Sequence, residues 1–96
     1  MLNKIKLALR ISTDSFDEEL RDLIDACKSD LYLSGVNYVN EDDSLIKRAI
    51  ILYCKANFGL DNKDSEKYDK SYCLLKQHLA LSGEYKDEWN YRTYIV

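Results

Sequence analysis

Hydrophobic residues recur at helical spacing between positions 16 and 31. They step mostly by three or four residues, which at about 100° per residue keeps them on one side of a helix. This stripe is formed by Phe16, Leu20, Leu23, Ile24, Cys27 and Leu31. Ser15 followed by Glu18 has the spacing of a capping box, and Asp14 is an equally good single cap. The pattern predicts a one-sided surface helix that ends near Ser34, with Gly35 as its C-terminal cap.

A second helix is predicted between positions 45 and 58, where apolar residues cover most of the circumference. Acidic residues at 41–43 precede it and complement the positive end of the helix dipole. Its narrow polar strip is formed by Ser44, Lys47, Arg48 and Lys55. Such a helix is expected at the centre of the fold. Ile51 projects into the middle of the strip, so either a neighbouring segment covers it or it belongs to an intermolecular contact.

Two further helices are predicted on either side of this pair. The first covers residues 2–10, and its apolar side is formed by Leu2, Ile5 and Leu9. The other covers about residues 63–82, with Asn62 as a candidate cap and Gly83 as the stop. Its main face is formed by Tyr68, Tyr72, Leu75 and Leu79. Leu74 and Leu81 lie well round from that face, so a second side of this helix is also partly apolar.

The last thirteen residues, 84–96, are rich in aromatic side chains without helical spacing. They include Tyr85, Trp89, Tyr91 and Tyr94. Aromatic residues are costly to leave in water and are enriched at protein interfaces. The segment therefore either folds back over its own bundle or contacts another protein, and the second interpretation is favoured because termini are commonly loose unless docked.

Glycine and proline are scarce, with three glycines and no proline in 96 residues. Few breakers favour long helices joined by short turns. The predicted fold is all-α: a small bundle of three main helices plus a short N-terminal helix over residues 1–83, then an irregular or extended aromatic tail over 84–96. The length suits one domain.

The overall composition is that of a soluble globular protein, with 46% hydrophobic and 32% charged residues interleaved. No apolar run approaches the ~20 residues that span a bilayer, so no membrane association is expected. The N-terminus lacks the continuous apolar stretch of a secretory signal, which predicts a cytoplasmic protein. A net charge of −3 opposes unaided binding to nucleic acid.

No motif predicts catalysis, a cofactor or a metal site. Cys27, Cys54 and Cys73 are odd in number and far apart, so we interpret them as buried thiols. His78 is the only histidine and has no local catalytic signature around it. A carboxylate group formed by Glu18, Asp22 and Asp25 shares one helix side, but a single helix lacks convergent metal-ligand geometry. We therefore expect no enzymatic activity.

Two stretches resemble the phage head-tail connector proteins of tailed phages and prophages. One runs from Lys6 to Leu20 and continues through Leu31 to Gly35, and the other spans 43–59. The similarity extends through residues 68–81 and so covers most of the chain. It consists of helix faces and caps, without a catalytic signature. Ser44 and Lys63 stand where proline is common at the first helical position, which changes capping strength and little else.

The resemblance implies a structural subunit of a ring, twelvefold in the virion, that docks beneath the portal and joins the capsid to the neck and tail. Implied partners are the portal, neck and tail completion proteins and other copies of the chain, which can be monomeric alone. Implied locations are the host cytoplasm during assembly and the virion neck. Candidate interface residues are Ile51, Leu74, Leu81, Tyr85, Trp89, Tyr91 and Tyr94. Candidate acidic residues facing the DNA channel are Glu18, Asp22 and Asp25.

A different class of function stays open at this point. A small intracellular helical adaptor or regulatory protein would use the same aromatic tail to bind one partner. The two hypotheses differ in stoichiometry, because a connector forms a closed ring of many copies whereas an adaptor forms a defined pair.

Overall fold

Four α-helices form the body of the protein. The computed structural model describes residues 1–59 and 63–85, and within these it contains no strand. The helices are α1 (Leu2–Leu9), α2 (Asp17–Leu33), α3 (Ser44–Asn57) and α4 (Ser65–Leu81), followed by a 3₁₀ helix (Gly83–Tyr85). The all-helical prediction, with three main helices and a short N-terminal one, is confirmed for this part of the chain. The conformation predicted for residues 86–96 lies outside it.

Helix α3 occupies the centre of the bundle, as its apolar circumference predicts. It packs against α1, α2 and α4, and its buried positions are Ile46, Ala49, Ile50, Leu52 and Cys54. Helix α2 contributes the predicted stripe, of which Leu20, Ile24, Cys27 and Leu31 are buried. Burial of these side chains is the main favourable contribution to folding.

The start of α3 is fixed by the Asp43 side chain. Its Oδ1 atom accepts hydrogen bonds from the backbone N–H groups of Leu45 at 2.9 Å and Ile46 at 3.2 Å. The hydroxyl of Tyr85 donates to the same carboxylate at 3.0 Å. Asp43 therefore caps the central helix, as its sequence predicts, and also holds the end of the described chain.

Replacing Asp43 by alanine is expected to lower the free energy of unfolding by about 1 to 2 kcal/mol, because a helix cap is lost. Chemical denaturation measures this change. The matched control is Asp42→Ala, which removes a neighbouring exposed carboxylate that does not cap the helix. Equal losses in the two variants would contradict the capping role.

The start of α2 differs from the sequence prediction. The helix begins at Asp17 with Phe16 at the N-cap position, and no side chain caps it. Thr13 Oγ1 accepts from the Ser15 backbone N–H at 3.2 Å, and Asp14 bonds to Lys6 Nζ at 2.7 Å. The predicted caps are thus engaged in a local turn and in a contact with α1, so they do not reach the helix terminus.

The ends of α2 and α4 lie next to each other. Gly35 has φ of +102°, as its predicted role in ending α2 requires, and a Cβ there would lie 3.9 Å from the Cβ of Ala80. The chain then passes the 3₁₀ helix, where the N–H of Tyr38 donates to the carbonyl of Tyr85 at 3.0 Å. This arrangement closes one end of the bundle. Helix α4 itself begins at Ser65, slightly later than predicted, and Asn62 lies outside the described residues.

Candidate assembly surfaces

A hydrogen-bonded network joins α2 to α4 beside the core. The Tyr72 hydroxyl donates to Asp30 Oδ2 at 2.6 Å, and Lys76 Nζ donates to the same oxygen at 3.0 Å. Cys27 Sγ lies 3.8 Å from the Tyr72 hydroxyl. The Tyr72 ring also meets the Tyr53 ring edge to face, with centroids 5.2 Å apart. Cys27 and Asp30 of α2 thus form hydrogen bonds with Tyr72 and Lys76 of α4.

Electrostatics in this network favour a structural role. Burial raises the pKa of Cys27 to about 12, so its thiol is protonated at neutral pH and is a poor nucleophile. Burial and the Asp30 carboxylate raise the pKa of Tyr72. Partial burial opposes ionisation of Asp30, but the hydrogen bonds from Tyr72 and Lys76 outweigh it and hold the pKa of that carboxyl below its usual value.

The predicted acidic residues share the outward side of α2. Glu18, Asp22 and Asp25 are all exposed, on the side of the helix opposite its buried apolar residues. Toward the C-terminus the same side carries Ser29, then Tyr32 and Leu33, and the Leu33 side chain is 84% exposed. We call this set the α2 stripe: acidic in its first half and apolar at its end.

Helix α4 also has an exposed outward side. Leu74 is 63% and Leu81 84% exposed, in keeping with their position away from the main face. Lys70 lies on the same side one turn before Leu74 and Lys67 two turns before it, and His78 lies one turn after it. We call Lys67, Lys70, Leu74, His78 and Leu81 the α4 stripe. It is basic in its first half and partly apolar in its second.

The other predicted interface residues are placed differently. Ile51 is half-buried and packs against the core, so a neighbouring segment does cover part of it. Tyr85 is only 7% exposed and its hydroxyl donates to Asp43, so its ring packs into the helical body. Trp89, Tyr91 and Tyr94 lie outside the described residues.

The described residues contain neither a metal-ligating cluster nor a membrane-spanning helix. No group of three or more His, Cys, Asp or Glu side chains converges within residues 1–59 and 63–85 in a way that could hold a metal ion. No helix in that part of the chain is long and apolar enough to cross a membrane.

Comparison with protein families identifies the family to which this four-helix body belongs. A family model described as phage connector protein matches residues 1–86, which include the whole four-helix body. The chain belongs to this family. The resemblance seen in the sequence is thereby confirmed. Searches of curated proteins and of solved structures found no match.

Phage connector proteins form a structural, typically non-enzymatic family whose members contact other head and tail proteins at the virion neck. For a phage connector the functional site is therefore a contact surface. The α2 and α4 stripes are the exposed sides of the two longest helices, each of 17 residues.

The network around Tyr72 was not found from sequence, because Asp30 and Tyr72 are 42 positions apart.

Proposed function

We propose that this connector is a ring-forming subunit that docks beneath the portal, joins the capsid to the neck and tail, and surrounds the DNA channel. The observation that carries the proposal is the family match over residues 1–86. The resemblance adds a twelvefold ring in the virion. Partners are the portal, the neck and tail completion proteins, and neighbouring copies.

The two outward stripes suit such a ring. A cyclic assembly needs two different patches on each subunit, because one side of a copy meets the other side of the next. The α2 stripe and the α4 stripe are distinct, exposed and carried by different helices. They supply two patches without rearrangement of the core.

The charge of the protein suits the passage of DNA. The chain has 17 acidic against 14 basic residues, and like charge discourages adhesion to phosphates. If Glu18, Asp22 and Asp25 faced the channel, they would act in this way directly. Reversing the charges of Asp22 and Asp25 distinguishes this placement from a contact of the same residues with a neighbouring copy.

The decisive experiment is the solution mass of the purified protein with and without a portal assembly from the same source. Light scattering after size exclusion is expected to show the protein co-migrating with the portal in many copies. A protein that stays monomeric and indifferent to the portal would contradict the connector proposal and favour a paired adaptor.

The aromatic tail, 84–96, is proposed as a further contact segment. Trp89→Ala is expected to weaken co-migration with the portal while the melting temperature changes little, because the proposal assigns this aromatic side chain to the contact with the partner. Thermal unfolding and portal binding are measured on the same sample. A large fall in melting temperature with unchanged portal binding would show that Trp89 serves the fold instead.

A further inference from the structure

Helices α2 and α4 run in the same direction and keep a constant register. Cys27 lies beside Tyr72 at a chain separation of 45 residues, and Asp30 lies beside both Tyr72 and Lys76 at separations of 42 and 46 residues. Gly35 lies beside Ala80 at the same separation as Cys27 and Tyr72. Separations that stay between 42 and 46 residues as both helices advance mean that the helices are parallel, so a residue of α2 lies near the height of the residue about 45 positions later in α4.

This register places opposite charges at equal heights on the two outward stripes. Asp22 lies at the height of Lys67, and Asp25 at the height of Lys70. All four side chains are exposed. Each acidic position of α2 in this part of the helix therefore has a basic counterpart at its own level on α4, on a different surface of the same molecule.

The apolar halves of the stripes match in the same way. Leu33 lies near the height of His78, between Leu74 and Leu81, about 6 Å along the axis from Leu74 and about 4.5 Å from Leu81 at ~1.5 Å per residue. A leucine that projects between two leucines one turn above and below it is the geometry of a knob entering a hole. Ser29, a small residue, lies at the height of Leu74 and leaves it room.

Cyclic symmetry makes equal height the decisive property. In a closed ring whose axis follows the helices, neighbouring copies are related by rotation without rise, so only groups at equal height meet. Rotation about such an axis also keeps α2 of one copy parallel to α4 of the next. A two-fold axis across the helices would make them antiparallel and set Asp22 against the apolar end of α4.

From these observations we propose that the α2 stripe of one copy packs against the α4 stripe of a second copy, parallel and without stagger. Asp22 meets Lys67, Asp25 meets Lys70, and Leu33 enters between Leu74 and Leu81. Lys70 already contacts Glu66 of its own helix at 3.6 Å, but that pair is exposed and contributes little. The inference rests on the proposed ring and identifies the contact that would build it.

Charge reversal tests the contact with a built-in rescue. Asp22→Lys/Asp25→Lys sets lysine against lysine between like copies, and Lys67→Glu/Lys70→Glu sets acid against acid. With the portal present, each variant alone is expected to associate with other copies at least about tenfold more weakly in light scattering, because like charges then face each other. A mixture of the two restores opposite charges at every contact of an alternating ring, so association is expected to return.

The matched control reverses two charges on the same helices away from the stripes. Glu19→Lys/Asp69→Lys changes the net charge as much as Asp22→Lys/Asp25→Lys does, and both positions are exposed. It is expected to associate like the parent protein. Association of all three variants equal to the parent would overturn the proposal and favour a channel-facing position for the acidic residues.

A disulfide test detects weak contact as well. In a Cys73→Ser background, Ser29→Cys and Leu74→Cys are made in separate chains and mixed under mild oxidation, with the portal present. Because the two positions lie at equal height, a mixed dimer is expected that neither variant forms alone with itself. Portal binding without this dimer would overturn the contact and leave the proposed function standing. Loss of both would overturn the proposed function together with the contact.

Discussion

Ile50→Ala is expected to lower the free energy of unfolding by about 2 to 5 kcal/mol, the usual cost of a cavity in a packed core. Ile50 has no exposed surface and lies on α3, between the helices that pack around it. Alanine removes three carbon atoms from that position, and the neighbouring backbone belongs to helices that relax little. Urea denaturation of the purified protein measures the loss.

The adjacent residue provides a matched control. Ile51→Ala makes the same chemical change in the same helix, with the same gain in helix propensity, at a half-buried position. The difference between the two variants therefore isolates the effect of burial. A near-wild-type free energy of unfolding for Ile50→Ala, or a loss no larger than that of Ile51→Ala, would contradict the burial of Ile50 at the centre of the bundle. Portal binding of Ile51→Ala then tests its predicted place in an interface.

The core was predictable from sequence because helical spacing reports directly which side of a helix is buried. Leu20, Ile24, Cys27 and Leu31 stand three or four positions apart, and all four are buried. In α3 the extent of the apolar surface, rather than its direction, predicted a helix packed on several sides. These inferences need only neighbouring residues on one element.

Features that depend on distant residues were not predictable in this way. The hydrogen bond from the Tyr85 hydroxyl to Asp43, which lies 42 positions earlier, has no local signal in the sequence. The predicted side-chain cap of α2 was wrong for a related reason. Asp14 has the right spacing, but Lys6 from α1 takes its carboxylate, and spacing within one helix does not report a neighbour from another.

The candidate site shows the same division. Sequence reasoning found the acidic residues of α2 and the outlying leucines of α4 as separate sets, because each lies on one helix. Their correspondence became visible only through the contacts that set the two helices parallel and in register, such as Asp30 with Lys76. The charged residues of α2 and α4 indicate an interface only when the relative heights of the two helices are known.

Tyr72→Ala is the second large effect, with an expected loss of about 3 to 5 kcal/mol in the free energy of unfolding. The ring is buried, stacks edge to face on Tyr53, and lies under Lys76 Nζ at 5.2 Å. Tyr72→Phe keeps the ring and removes only the hydroxyl, which donates to an ionised carboxylate, so its loss is expected at about 1.5 to 3 kcal/mol. The two variants separate packing from hydrogen bonding, and equal losses would contradict that separation.

The pH dependence of Tyr72→Phe tests the link to Asp30. The Tyr72 hydroxyl helps hold the pKa of Asp30 below its usual value, against the opposing effect of partial burial. A carboxyl with a depressed pKa stabilises the fold above its ordinary pKa of about 3.9, and this contribution is lost as the pH falls through the lower folded value. In Tyr72→Phe this pH-dependent contribution of Asp30 to the free energy of unfolding is smaller, because the hydroxyl that helps lower the pKa is absent. The difference in stability between the parent and Tyr72→Phe should therefore be full at neutral pH and narrow below about pH 4. A difference that stays constant or widens on acidification would show that the hydroxyl acts through packing rather than through the Asp30 carboxylate.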